Sequence, residues 1–178
     1  MNITAMYFSG TGTTKKVTAA IADELTEIKI SQDETAAGEN PGSIKAGIKL
    51  WQRAADIDFT PPAARREIYR FTPDDLVVFG VPVIAGRVPN VLLKFLDTLQ
   101  GGGALAVPVV LYGNRNFDDA LIELRNILQD RGFYAIGAAA FIGEHSFSRY
   151  SGGRPVRTSS DIGAVPGFCP KARRQNPP

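Results

Sequence analysis

The sequence predicts an α/β fold, in which a parallel β-sheet has helices on both faces. Three runs, residues 3–8, 76–83 and 107–113, are short and almost continuously apolar, which is typical of parallel strands buried on both faces. Each run is followed by apolar residues at helical spacing. This alternation predicts right-handed crossovers between neighbouring strands.

The candidate strands and helices alternate along the chain, beginning with the strand at residues 3–8 and the Gly/Thr-rich turn after it. Residues 134–142 are the last strand candidate, and the second strand lies either at 28–30 or at 56–59. Residues 44–55 could form a short helix that carries Trp51. The helical stripes are Val17, Ala20, Ile21, Ala22, Leu25 and Ile28; Val91, Leu92, Phe95, Leu96 and Leu99; and Leu121, Leu124, Ile127 and Leu128, closed by Gly132.

Composition indicates one globular domain and a tail. The chain has 178 residues, of which 44% are hydrophobic and 21% charged, so we expect one core within residues 1–150. Residues 151–178 are rich in Pro, Gly and Arg without apolar periodicity, which predicts a mobile tail. Residues 1–148 hold 14 basic and 17 acidic residues, a net charge of −3. That balance argues against a nucleic-acid-binding surface.

Cysteine usage and hydropathy exclude several classes. Cys169 is the only cysteine, so an intrachain disulfide, a four-cysteine iron–sulfur cluster and a cysteine-rich zinc site are excluded. His145 is the only histidine, and no metal-ligand spacing or catalytic triad accompanies it. No apolar run reaches 18 residues and no basic leader precedes the first strand, so we expect a cytoplasmic protein without a membrane span.

The most specific local motif is the turn Ser9-Gly10-Thr11-Gly12-Thr13-Thr14, between the first strand and the first helix. Helix N-terminal N–H groups, hydroxyls and glycines at the carboxyl edge of a parallel sheet suit a phosphate monoester. A P-loop and a dinucleotide fingerprint both fail at Lys15, where each requires glycine. The alternative is a capped turn without a ligand.

Two further loops follow buried strands and are candidates for the same edge. The segment 80–89 is rich in Pro and Gly and could cover a flat ring, with Arg87 supplying charge; the alternative is a plain connection in which Pro89 starts a helix. The segment 112–119 could bind a heterocycle through backbone N–H groups and Asn114, whereas Asp118 or Asp119 could cap the next helix.

These three loops together resemble the flavodoxin-like family, and more narrowly the flavodoxin half of ferredoxin-fused flavodoxins of anaerobes. The resemblance covers about residues 1–30 and 54–150. It is carried by the motifs Tyr7-Phe8-Ser9-Gly10-Thr11-Gly12-Thr13-Thr14, Asp74 to Val83 with Gly86-Arg87-Val88-Pro89, Tyr112-Gly113-Asn114-Arg115 with Asp118-Asp119-Ala120-Leu121, and Gly143-Glu144-His145-Ser146-Phe147-Ser148.

The resemblance implies a three-layer, doubly wound fold with a five-stranded parallel sheet in the order 2-1-3-4-5. It also implies FMN as a noncovalent cofactor, with no metal and no catalytic side chain. The phosphate would be held by Ser9, Thr11, Gly12, Thr13 and Thr14. The isoalloxazine would lie between two loops, namely Pro82, Val83, Ile84, Ala85, Gly86 and Arg87 in the first, and Gly113, Asn114, Arg115, Asn116 and Phe117 in the second.

Three departures from the family pattern bear on function. Ile84 stands where the subgroup usually has an aromatic residue, and residues 31–53 look like an insertion. After Pro155 the expected last helix and the cysteine-rich ferredoxin module give way to a Pro/Arg-rich tail, a pattern consistent with a shifted reading frame or a truncated gene. A missing or altered last helix would leave one sheet face uncovered and open to homodimerisation.

The favoured interpretation is an FMN-binding redox domain that carries electrons between a low-potential donor and a partner protein, such as a ferredoxin-type iron–sulfur protein. One alternative is an NAD(P)H-dependent FMN or quinone reductase of the same fold. Another is a cofactor-poor interaction module.

Overall fold

The apolar runs form one parallel sheet in the computed structural model, which describes residues 1–27, 51–113 and 116–143. The described strands are β1 Asn2–Tyr7, β2 Gln52–Arg53, β3 Ile57–Asp58, β4 Asp75–Pro82, β5 Leu105–Tyr112, β6 Tyr134–Ala135 and β7 Ala139–Ile142. The described helices are α1 Thr13–Glu27, α2 Asn90–Leu96 and α3 Ala120–Asp130, and a 3₁₀ turn covers Ala64–Arg66.

The seven short strands occupy five positions across the sheet. Strands β2 and β3 both pair with β1, and strands β6 and β7 both pair with β5. Strand β4 lies between β1 and β5. Counted by position, the strand order is 2-1-3-4-5 and every pairing is parallel, so the predicted topology is confirmed.

The second position is filled by the last two residues of the predicted insertion, Gln52–Arg53, and by Ile57–Asp58 after it. Strand β3 confirms the alternative at 56–59, whereas residues 28–30 lie outside the described part of the chain. The helix predicted over 44–55 is wrong for residues 51–55, because Gln52–Arg53 is extended and pairs with β1. The Arg53 side chain stabilises this segment, since it donates hydrogen bonds to the Asp23 carboxylate and to the Ala54 carbonyl, each 2.7 Å long.

Side-chain alternation along the strands separates two apolar layers. Ile3, Ala5 and Tyr7 of β1 face α1, whereas Met6 faces the layer that contains α2 and α3. Strand β4 alternates in the same way, and both of its faces are buried. Phe59 anchors the α2 side, with ring centroids 4.8 Å from Phe95 and 5.3 Å from Phe79. The helices thus lie on both sheet faces, as predicted.

Close packing of α1 on β4 depends on Gly80. A Cβ at this position would overlap the Thr18 hydroxyl and lie 3.1 Å from a Thr14 methyl group. The Thr18 side chain is fully buried, and its hydroxyl has no hydrogen-bond partner among the described residues. Gly80 therefore allows the first turns of α1, which contain Thr14 and Thr18, to pack directly on the sheet.

The remaining elements differ from the prediction in their lengths. The predicted strand 134–142 is split into β6 and β7, and α2 ends at Leu96 while Leu99 is buried in the following turn. The described residues all belong to one compact unit, Met1–Ser146. The predicted domain end at 150, the tail 151–178, the last helix and residues 31–50 of the predicted insertion lie outside the described residues and stay predictions.

Candidate functional site

A cavity of about 530 Å³ opens at the carboxyl edge of the sheet. Three segments surround it: the start of α1, the loop after β4 and the loop after β5, together with the residue that follows β7. This is the edge at which parallel α/β sheets bind ligands. The cavity is lined by Thr11, Thr13, Thr14, Pro82, Val83, Ala85, Gly86, Leu111, Tyr112, Gly113, Asn116, Asp118 and Gly143.

The turn before α1 is held by polar contacts on its outer side. The Ser9 hydroxyl accepts a hydrogen bond from the Lys15 N–H at 3.1 Å, and the Ser9 N–H donates to the Thr60 hydroxyl at 2.8 Å. Gly12 has φ +85°, a left-handed conformation that favours glycine. Its carbonyl accepts the Lys16 N–H at 3.1 Å, which is the first turn of the helix.

The beginning of α1 presents neutral donors to the cavity. The first N–H groups of a helix have no partner within the helix, and the macrodipole places partial positive charge there. Thr11 and Thr13 lie beside these groups with their hydroxyl oxygens 3.4 Å apart. Thr14 is buried yet also lines the cavity. Hydroxyls and N–H groups at a helix N-terminus form a donor set that matches an anionic phosphate.

The loop after β4 forms a tight turn from Ile84 to Arg87. The two residues exchange backbone hydrogen bonds, each 3.1 Å long. The central residues Ala85 and Gly86 have φ values of +52° and +75°, as in a type I′ turn. A left-handed alanine costs about 1 kcal/mol, so surrounding contacts must hold this turn in place.

Glu123 of α3 provides those contacts. Its carboxylate accepts hydrogen bonds from Arg87 Nε at 2.9 Å, from Arg87 Nη2 at 2.7 Å and from the Val88 N–H at 2.8 Å. The bonds from Arg87 lower the pKa of Glu123, although partial burial opposes this, and the same pairing raises the pKa of Arg87. Arg87 therefore points along α3, and it does not line the cavity.

Asp118 contributes a carboxylate to the cavity wall. It has φ +42°, and its side chain lies against Gly86, where a Cβ would sit 2.9 Å from the Asp118 Cβ. Within the described residues it is the only charged side chain that lines this cavity. Asp119 takes the N-cap position of α3, but its side chain makes no capping hydrogen bond. The prediction of a capping acid is therefore right about position and wrong about the side-chain contact.

Tyr112 supplies an aromatic surface at the end of β5. It lines the cavity, and its ring centroid lies 5.4 Å from that of Phe117, which packs against the core. Ile84 is 58% exposed and does not line the cavity. The aromatic wall of the cavity therefore comes from Tyr112 at the end of β5 and not from position 84.

Comparison with known proteins identifies the fold. No family model and no curated protein sequence matches the chain. A flavodoxin from the domain Archaea is similar in structure, with a TM-score of 0.52 and 14% identity over 81% of this chain and 85% of the other. A protein from Bacteroides uniformis ATCC 8492, which carries a provisional description as a flavoprotein, has a TM-score of 0.51 and 13% identity over 81% and 92%. This chain has a flavodoxin-like fold.

The flavodoxin-like fold brings together most of the predicted site residues. Those that line the cavity are Thr11, Thr13, Thr14, Pro82, Val83, Ala85, Gly86, Gly113 and Asn116. Five others lie outside its lining: Ser9, Gly12, Ile84, Arg87 and Phe117. Asn114 and Arg115 are outside the described residues. The role of each residue in cofactor binding stays a prediction.

Sequence reasoning missed four lining residues, namely Leu111, Tyr112, Asp118 and Gly143. Tyr112 and Gly143 stand at strand ends within motifs that the resemblance already used. Asp118 is one of the two acids for which the sequence allows a helix-capping role, but it has a left-handed backbone and its side chain lies against Gly86. The strand-end position was the usable signal, since side chains there face the ligand edge.

The donor set fits an organic phosphate ligand better than a metal. No group of three or more His, Cys, Asp or Glu that could hold a metal ion occurs among residues 1–27, 51–113 and 116–143. In the same ranges, no helix has the length and apolar character needed to cross a membrane. The cavity joins neutral hydrogen-bond donors at one end to an aromatic, Gly-rich wall at the other, and these features suit a ligand with an anionic end and a flat ring.

Proposed function

We propose that this chain is an FMN-binding redox domain that carries electrons between a low-potential donor and a partner protein. The observation that carries the proposal is the single cavity that joins the start of α1 to the loops after β4 and β5. The two structural neighbours support it, since one is a flavodoxin and the other is described as a flavoprotein.

The end of the cavity at α1 would bind the FMN phosphate. Thr11, Thr13 and Thr14 supply hydroxyls beside the free helix N–H groups. No Lys or Arg of the described chain lines the cavity, so the phosphate charge is met by the helix end and by hydrogen bonds. The Ser9 hydroxyl holds the Lys15 N–H, which leaves the N–H groups of Thr13 and Thr14 for the ligand.

The other end would bind the isoalloxazine ring. Tyr112 and Val83 offer apolar surface, and the backbones at Gly86 and Gly113 can approach a ring closely. The Asp118 carboxylate disfavours a second negative charge at this end, because like charges repel strongly near a partly enclosed site. A ligand with one anionic end and one neutral, flat end therefore matches the cavity.

When bound, FMN supplies reversible electron transfer through its ring, and the protein contributes orientation and electrostatics. Val83 and Ala85 line the cavity on either side of Ile84, which is 58% exposed. This apolar side chain gives a partner protein, such as a ferredoxin-type iron–sulfur protein, a contact next to the ring-binding end.

Titration of the purified protein with FMN tests the proposal. Flavin fluorescence should be quenched and should saturate at one FMN per chain, and riboflavin should bind more weakly because it lacks the phosphate. Absence of quenching by FMN up to millimolar protein would contradict the proposal and favour an interaction module.

Reduction of the FMN-loaded protein under anaerobic conditions separates a carrier from a reductase. A low-potential donor such as dithionite with methyl viologen should bleach the flavin rapidly, whereas NADH and NADPH should not. Turnover of a quinone with NAD(P)H would contradict the carrier role and favour the reductase.

A further inference from the structure

The inference concerns Glu123, which lies on α3 and does not line the cavity. Its carboxylate makes three hydrogen bonds to residues 87 and 88, at 2.7–2.9 Å. Two of these come from a guanidinium in bidentate geometry, which is the strongest arrangement for a carboxylate. The Glu123 side chain is 17% exposed, whereas the Arg87 side chain is 59% exposed, so the acid is the less exposed partner of the pair.

The anchored residues determine where the ring-binding turn lies. Arg87 closes the turn that begins at Ile84, and Val88 is buried in the core. Between them and the cavity stand Ala85 and Gly86, both with left-handed backbones. Such a turn is strained at Ala85 and persists only where its neighbours hold it.

We propose that Glu123 is a positioning residue for the ring end of the site. Through Arg87 and Val88 it holds the turn Ile84–Arg87 in the shape that faces the isoalloxazine, and it has no part in binding the phosphate. This inference rests on the proposed FMN function. It goes beyond it by assigning ring affinity to a residue that never touches the cofactor.

The test compares Glu123→Ala and Glu123→Gln with wild type. Alanine removes all three hydrogen bonds and favours helix, whereas glutamine keeps one acceptor oxygen. FMN and riboflavin should each bind about tenfold more weakly to the alanine variant and about threefold more weakly to the glutamine variant. Inorganic phosphate, measured as a competitor of FMN, should bind both variants as it binds wild type.

Two controls keep the interpretation specific. Asp130→Asn removes an acid from the same helix, away from the cavity, and should leave both flavin affinities unchanged. The double variant Glu123→Ala/Arg87→Met should bind FMN and riboflavin only slightly more weakly than Glu123→Ala does, because both substitutions act through one ion pair.

Amide hydrogen exchange of the flavin-free protein gives a second readout. Exchange at residues 84–88 should accelerate at least fivefold in Glu123→Ala, while exchange in β1 stays at the wild-type rate. Unchanged exchange, or a loss of phosphate affinity equal to the loss of riboflavin affinity, would overturn the positioning role. A wild-type protein that binds no flavin while its turn still loosens in Glu123→Ala would overturn the FMN function and, with it, the assignment to the ring.

Discussion

The two ends of the cavity are built in different ways. The α1 end rests on the core, because Thr14 and Thr18 are buried against Gly80 of the central strand β4. The turn end is a left-handed loop near the surface, which hydrogen bonds to the Glu123 carboxylate hold and against which the Asp118 side chain lies. The helix end is therefore rigid through packing, whereas the turn end depends on a few hydrogen bonds, and the two should respond differently to substitution.

The largest expected effect is at the packed end. Gly80→Ala places a methyl group on the Thr18 hydroxyl, and β4 cannot easily shift to relieve the overlap because it is hydrogen-bonded to β1 on one side and to β5 on the other. We expect the free energy of unfolding to fall by about 3 kcal/mol, measured by chemical denaturation. Adding Thr18→Ala should recover at least half of the loss, and a stability equal to wild type in Gly80→Ala alone would refute the close approach of α1 to β4.

The matched substitution at the turn end, Gly86→Ala, should lower the free energy of unfolding by less than Gly80→Ala does. Gly86→Ala meets the exposed Asp118 side chain, whose carboxylate can rotate away although its Cβ stays 2.9 Å from the new methyl group, and it also puts alanine at φ +75°. We expect a loss of about 1–2 kcal/mol in the free energy of unfolding. In an Asp118→Gly background, which lacks both the carboxylate and the Cβ that approach Gly86, the steric part of this loss should disappear and the backbone part should remain. If Gly86→Ala costs more than Gly80→Ala, the contrast between the two ends is wrong.

Relief of backbone strain should stabilise the turn end. Ala85 has φ +52°, a conformation that glycine adopts without penalty. Ala85→Gly should therefore raise the free energy of unfolding by up to about 0.6 kcal/mol, because the relief of about 1 kcal/mol of strain exceeds the entropy of the unfolded glycine, about 0.4–1 kcal/mol. Ala5→Gly in β1 is the control, since it removes a buried methyl group at ordinary backbone geometry and should destabilise. Destabilisation by Ala85→Gly would rule out strain at this position.

The smallest effect is a pH dependence of the turn end. The pKa of Glu123 is below its ordinary value of 4.5, chiefly because of Arg87. The ion pair therefore contributes stability above that pH, and the contribution is lost as the pH falls through the lowered pKa. The stability difference between wild type and Glu123→Gln should be constant from about pH 7 to 5 and should shrink below it. A difference that grows on acidification would contradict this sign.

Sequence patterns predicted the central part of the fold well and the edges less well. Strands β1, β4 and β5 are buried on both faces, so each leaves a continuous apolar run that can be recognised directly. Strands β2 and β6 are two residues long and half exposed, and Gln52–Arg53 has no apolar pattern at all. Their extended shape is imposed by pairing with β1 and β5, which local sequence does not encode.

The candidate site, like the fold, could be predicted only in part from the sequence. The loops after β1, β4 and β5 could be predicted to share one edge of the sheet, and nine of the residues predicted there line the cavity. Arg87 and Glu123 are 36 residues apart in the sequence, and their ion pair depends on how α3 packs. The sequence therefore predicts that Arg87 lies near the site, but it does not predict that its side chain pairs with Glu123. The left-handed backbone of Asp118 and its position against Gly86 likewise leave no pattern in the local sequence.

The central claim is that phosphate binds at α1 and the ring at the turn, and one measurement tests both. Affinities of FMN and riboflavin are compared in wild type and in Thr13→Glu, which puts a negative charge at the start of α1. The account predicts that FMN affinity falls about 100-fold, while riboflavin affinity and far-UV circular dichroism stay unchanged. Equal losses for both flavins, or no loss for FMN, would contradict it.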